Sequence, residues 1–204
     1  MRTDMPNLDA SLFRINMPTL TPKVGSLLVA EPFLREFSFN HAVISLLEYS
    51  PGKPAMGLVL NKPTDITLGE AIDGIDEEVA VPIFRGGPVG GDRLFYIHRL
   101  EKEIPGANHL TGDLYVGGDF EKMKSYLNMG LPTEGLIRFF IGYTGWGPGQ
   151  LDEEIRRHVW AVAPKPSDDV ILSEDGPGYW HDVVRTMGVP YRNWLYHPVD
   201  PQLN

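Results

Sequence analysis

The sequence predicts a single α+β domain, and three observations carry that prediction. Apolar runs of strand length recur along the 204 residues, separated by turns that use 22 glycines and 18 prolines. Amphipathic stretches with helix-start residues interleave with those runs. No repeat, low-complexity tract or linker-like change of composition divides the chain. Residues 21–204 therefore read as one domain behind an N-terminal arm, residues 1–20.

The elements follow in order. Gly25–Ala30 and His41–Leu47 are apolar strands, and Met56–Leu60 is a third, ended at Asn61-Lys62-Pro63 because proline offers a ladder no donor. Pro51-Gly52-Lys53-Pro54 joins the second and third as a hairpin turn. Thr67-Leu68-Gly69-Glu70 has the pattern of a capping box, and Leu68, Ile72 and Ile75 continue at helical spacing. Val81–Phe84 and Leu94–His98 are strands on either side of the glycine loop Gly86–Gly91. Asp119 caps a helix with the apolar face Phe120, Met123 and Leu127, stopped by Gly130. Ile137–Tyr143 is a strand, and Leu151, Ile155 and Val159 then share one helical face. Trp160–Ala163 and Val170–Leu172 read as short strands around Pro164-Lys165-Pro166. Trp180, Val183, Val184 and Met187 mark a last helix closed by Gly188, and the tail from Pro190 is expected to lie across the body.

Charge and composition exclude several classes. The net charge is −9 with a pI near 5.1, whereas a duplex-binding surface needs clustered cations. Direct DNA binding is disfavoured. Arg156-Arg157, the one adjacent basic pair, stands four residues after Asp152 and Glu153, the spacing of helix-surface ion pairs. There is no cysteine, which removes disulfides, thiolate nucleophiles and iron–sulfur clusters. The six histidines form no short metal-ligand spacing, so neither a metal nor a cofactor is expected. No apolar run is long enough to cross a bilayer, and residues 1–18 lack the apolar core of a signal peptide. The expected location is cytoplasmic, with no membrane partner.

Four segments stand out: Gly57-Leu58-Val59-Leu60-Asn61-Lys62-Pro63, Gly86-Gly87-Pro88-Val89, Asp92-Arg93-Leu94-Phe95-Tyr96-Ile97-His98, and Phe139 to Ile155 with its core Gly145-Trp146-Gly147-Pro148-Gly149-Gln150. In this order they closely resemble the YqgE/AlgH family, over a span from about Gly25 to the final helix. The resemblance implies one α+β domain with a strongly bent, partly barrel-like mixed sheet and helices packed outside. It implies no biochemical activity, although the family name carries a proposed role in transcriptional control of alginate production. Two positions depart from the family's habit: Glu48-Tyr49 where Glu-His is common, and His158 where Asn is common.

Each segment offers candidate ligand-binding residues together with a structural alternative. Gly145, Trp146, Gly147, Gly149 and Gln150 open a helix, where backbone N–H groups attract anions. The segment lacks the Lys-Ser/Thr of a Walker A loop and the dinucleotide spacing, which favours reading it as a tight turn that packs or presents Trp146. Arg85 and Arg93 flank Gly86, Gly87 and Asp92, a loop whose amides can form an anion nest or simply a turn. Asn61 either caps its own backbone or touches a ligand. His98 is either a core residue or a proton carrier. The sequence shows no nucleophile elbow and no catalytic residue set.

Two functional readings follow. The first is a soluble, non-enzymatic regulatory protein that binds a small anionic ligand or a protein partner and touches transcription only indirectly. The second is an enzyme for a phosphorylated or other anionic small molecule, with Arg85, Arg93 and the glycine loops holding the anion and a carboxylate or His98 moving protons. The two glycine loops and Asn61 are expected to converge on one side of the sheet, since functional loops gather at strand ends.

Overall fold

Alternating side chains along the strands sort the buried residues into three clusters, and that sorting shapes the sheet. The computed structural model describes residues 20–164, 168–173 and 178–196. Within them the strands are β1 Leu27–Ala30, β2 Val43–Glu48, β3 Ala55–Val59, β4 Pro63–Thr67, β5 Pro82–Arg85, β6 Val89–His98, β7 Asn108–Thr111, β8 Leu114–Val116, β9 Ile137–Trp146 and β10 Trp160–Val162. They make one sheet in the order β10-β1-β2-β3-β9-β6-β8-β7, with β5 parallel to β9 and β4 on the far side of β5. The helices are α1 Leu68–Ala71, α2 Phe120–Asn128, α3 Gln150–Arg156, α4 Asp168–Leu172 and α5 Tyr179–Thr186, followed by a 3-10 segment at Val189–Tyr196.

The sheet curls as a half-barrel. Leu27, Val29, Leu58, Leu60, Phe84 and Phe140 face the concave side, where they pack on Trp180, Val183, Val184 and Trp194. Their strand neighbours point outward: Leu28, Ile44 and Val59 meet Leu151 and Ile155 of α3, while Ile83, Tyr96 and Phe139 meet Leu68 of α1 and Met123 and Leu127 of α2. Helices α1, α2 and α3 thus lie outside, and α4, α5 and the 3-10 segment cover the concave face as well. Arg138 breaks the apolar pattern. Its side chain is 1% exposed, gives hydrogen bonds to the carbonyls of Leu60 and Ile171, and lies 4.0 Å from the Phe84 ring centroid. Aromatic faces and carbonyls help to offset the burial of such a cation.

Local signals account for most boundaries. Glu70 accepts from both the backbone N–H and the hydroxyl of Thr67, each at 2.8 Å, although the helix lasts only one turn. Asp119 accepts from Lys122 N at 3.0 Å and starts α2, whose buried face is Met123, Tyr126 and Leu127. Phe120, expected on that face, is 40% exposed. Val170–Leu172 is helical, not a strand: Asp168 and Asp169 favour a helix start, and Ile171 and Leu172 are buried in the concave cluster. Polar composition hid β4 and β7, and β8 is only three residues long. The expected arm lies outside the described residues apart from Leu20. Among the described residues no helix is long and apolar enough to cross a membrane.

Candidate functional site

The signature segments meet where the sheet forks. β3 pairs with β9 at Ala55–Trp146, Met56–Gly145 and Gly57–Thr144. Beyond Gly57 the two strands part, and β5 lies against β9 in parallel from Ile83–Phe139 to Arg85–Ile141. The chain must then reach the other side of β9, where Val89 of β6 pairs with Tyr143. It crosses the strand at Gly86-Gly87. A Cβ on Gly86 would stand 2.3 Å from Gly142 O, and one on Gly87 would stand 2.2 Å from Tyr143 O. The β9 backbone leaves room for no side chain at either position. Gly86 itself links the fork: its N–H donates to Ile141 O at 2.8 Å, and its carbonyl accepts from Val59 N at 2.8 Å and from Thr144 Oγ1 at 3.3 Å.

Asn61 and Lys62 sit at the bend between β3 and β4. The Asn61 amide accepts from Val43 N at 2.9 Å and donates to His41 O at 2.7 Å, which occupies its oxygen and one N–H in the fold. It pins a corner where His41 takes φ 48, a left-handed conformation uncommon outside glycine. The His41 ring donates from Nδ1 to Asn40 Oδ1 at 2.6 Å, meets Trp180 edge-on at 4.4 Å and lies parallel to His181 at 6.0 Å. Lys62 Nζ donates to Asn40 O at 2.7 Å, and burial lowers its pKa. Pro63 stands opposite Phe84 and Arg85 N donates to Lys62 O at 2.7 Å, so Lys62 and Arg85 are cross-strand partners on one face. Among the described residues neither makes an ion pair.

The two flanking arginines do not converge. Between Val89–Tyr143 and Leu94–Ile141 the β6 side carries Gly90, Gly91, Asp92 and Arg93 against Gly142 alone, a bulge of several residues. Arg93 runs beside Gly90 and Tyr143, and Tyr143 packs on the concave cluster with Phe95. Arg85 lies on the outer face, in strand alternation with Ile83. Asp92 and Arg93 are both exposed and form no ion pair with each other.

His98 is a core residue. It is 0% exposed, Nε2 meets Gly117 O at 2.8 Å, and Nδ1 accepts from Leu100 N at 3.0 Å. Those partners require the Nε2–H tautomer. Burial lowers the pKa, against smaller upward pulls from the Gly117 hydrogen bond and the Glu103 charge. With both nitrogens engaged and no solvent contact, the ring is placed to hold β6 to the β8 end and not to carry protons.

The second glycine stretch solves a different problem. Gly145 and Trp146 belong to β9, so the turn proper is Gly147–Gly149. Gly149, at φ 70, is the N-cap of α3, and Gly147 N donates to Gln150 Oε1 at 3.0 Å. Glu154 accepts from the indoles of Trp146 at 2.8 Å and Trp160 at 2.7 Å, and from Gln150 at 2.8 Å. Asp152 accepts from Tyr49 Oη and Gly52 N, each at 2.7 Å. Those bonds lower the Asp152 pKa, while burial and Asp152 push Tyr49 up to about 12. Arg156 pairs with Glu153, three residues earlier and not four. The turn therefore docks on the β2–β3 hairpin, four residues and roughly 13 Å along β9 from the crossing at Tyr143. Asn61, Lys62 and Arg85 gather at the fork; the Gly147–Gly149 turn stands apart. His158, at φ 61 just after α3, occupies the left-handed C-terminal position that glycine and asparagine prefer.

Lys62 is the residue that the sequence reading passed over. Its only sequence sign is its place in the signature, because burial of its stem and its position opposite Arg85 depend on the excursion through α1 over residues 63–84. Among the described residues no group of three or more His, Asp or Glu is arranged to hold a metal ion.

A curled mixed sheet crossed at a glycine pair defines a class of α+β domain, and comparison places the chain within it. The family model described as AlgH-like (DUF179) matches residues 27–192. A UPF0301 protein of Parabacteroides distasonis is 43% identical over 195 residues, covering 95% of this chain and 98% of that one. A UPF0301 protein of Bacteroides fragilis is 36% identical over 198 residues, covering 97% and 100%. The solution structure of the AlgH protein from Pseudomonas aeruginosa shares the fold, with TM-score 0.67 and 24% identity over 85% of this chain and 94% of that one. The chain belongs to the YqgE/AlgH family.

Proposed function

We propose that this is a soluble, non-enzymatic regulatory protein that acts in the cytoplasm by binding a small ligand or a protein partner. One observation supports the reading above others. The polar side chains of the signature segments with the most chemistry to offer are already engaged within the fold: Asn61 with two backbone groups, His98 through both nitrogens, and Glu154 with two indoles and an amide. What remains exposed and unpaired at the signatures is Arg85, Asp92 and Arg93, groups suited to recognition. Any effect on transcription is indirect, since a chain of charge −9 repels duplex phosphates.

A small-molecule thermal-shift screen run beside a hydrolase and phosphatase panel tests the reading. The expected result is saturable stabilisation by one compound class with no turnover. Turnover that tracks the purified protein would establish the enzyme instead, and tight sequence-selective duplex binding in a low-salt gel shift would overturn the indirect role.

A further inference from the structure

We infer that Lys62 and Arg85 hold a phosphate group, free or carried on a small molecule, at the outer face of the sheet fork. The inference rests on the ligand-binding reading above and names its site and chemistry. Directly opposed residues of an antiparallel pair keep their Cβ atoms about 5 Å apart, and like charges so placed repel. The chain carries 27 acidic residues against 18 basic ones, yet no carboxylate among the described residues pairs with either cation. An external anion between the two side chains would offset that repulsion.

The Lys62 ammonium sharpens the argument. It is half-buried and has three N–H donors, and its hydrogen bond is to one neutral acceptor, Asn40 O. Removing a cation from water for a single carbonyl is unfavourable unless more partners arrive. Its direction is fixed in advance. Asn61 bridges His41 and Val43, His41 holds a left-handed backbone, and the carbonyl beside them aims the ammonium. Arg85 is exposed, with its backbone locked to Lys62 O and to β9. One half-buried ammonium at the β3–β4 bend and one open guanidinium fork on β5 suit a dianionic tetrahedral oxyanion. Arg93, beside Tyr143 toward the concave side, serves as the internal control.

The test is titration of the full chain, followed by amide NMR shifts and calorimetry, with inorganic phosphate, glucose 6-phosphate, and acetate and chloride at matched ionic strength. Saturable phosphate binding is expected, weakened about tenfold or more by Arg85→Gln and by Lys62→Gln, and unchanged within about twofold by Arg93→Gln. Tighter binding of the ester assigns a small phosphorylated molecule, and equal binding assigns the free ion. No saturable effect beyond that of chloride overturns the site, as does an Arg93→Gln loss equal to that of Arg85→Gln. If Lys62→Gln does not fold, Arg85→Gln decides alone. Failure of phosphate alongside a hit in the compound screen removes this site and leaves the binding reading intact, whereas turnover removes the reading.

Discussion

The Gly86-Gly87 crossing and the Gly147–Gly149 turn are both glycine-rich, both sit in signature segments, and use glycine for unrelated reasons. At the crossing, one backbone passes over another and contacts of 2.2–2.3 Å forbid a Cβ. At the turn there is space: nothing lies within 4 Å of a Cβ on Gly149, and the nearest atom to one on Gly147 is Gln150 Oε1 at 3.7 Å. Gly149 is needed for its φ of 70, Gly147 for less. Glycine content alone therefore marks neither a ligand loop nor a structural one. The neighbours decide.

Substitution separates the two regions most sharply at the crossing. Gly87→Ala should cost more than about 3 kcal/mol, or prevent folding, because backbone atoms of β9 cannot yield as a side chain would. A urea midpoint close to the wild type would refute the crossing as the reason for that signature. Next in size, Glu154→Ala should cost about 2–4 kcal/mol by leaving the buried Trp146 and Trp160 indoles without an acceptor. Recovery of most of that loss in Glu154→Gln would show that the acceptor oxygen matters more than the charge, and equal losses in both variants would argue for the charge.

Smaller effects probe the turn itself. Gly149→Ala should lower stability by about 1 kcal/mol through its left-handed backbone, and Gly147→Ala by less than about 0.5 kcal/mol. Equal losses in denaturant melts would show that the open space around both residues had been misjudged. Smallest is a gain. His158→Gly relieves a left-handed histidine after α3 and should raise stability by about 0.5 kcal/mol, seen as a higher urea midpoint at unchanged slope.

Much of the fold was legible in residue order. The β2–β3 hairpin followed from apolar runs around Pro51–Pro54, the α1 and α2 starts from Thr67 and Asp119, and α5 from Trp180, Val183 and Val184. β4 was not, because Pro63, Thr64 and Asp65 carry no apolar alternation on an edge strand. Val170–Leu172 was misread, since three apolar residues suit either element and their packing chose the helix. Of the candidate site, Asn61 was visible as a signature residue and Arg85 as the flank of a glycine loop. Lys62 was hidden, because lysine in a turn reads as solvated unless its partner strand is known.

By itself the sequence determined the class of fold, the family and the acidic charge balance. Periodicity, caps and charge are properties of neighbouring residues, so they survive in one dimension. Only the tertiary structure decided what the signatures do. It set Gly86 and Gly87 against Gly142 and Tyr143, buried His98 with both nitrogens engaged, parted Arg85 from Arg93, and put Lys62 opposite Arg85. Each of those outcomes joins residues from different strands, and the register of distant strands is settled by packing the three clusters together, which no local pattern encodes.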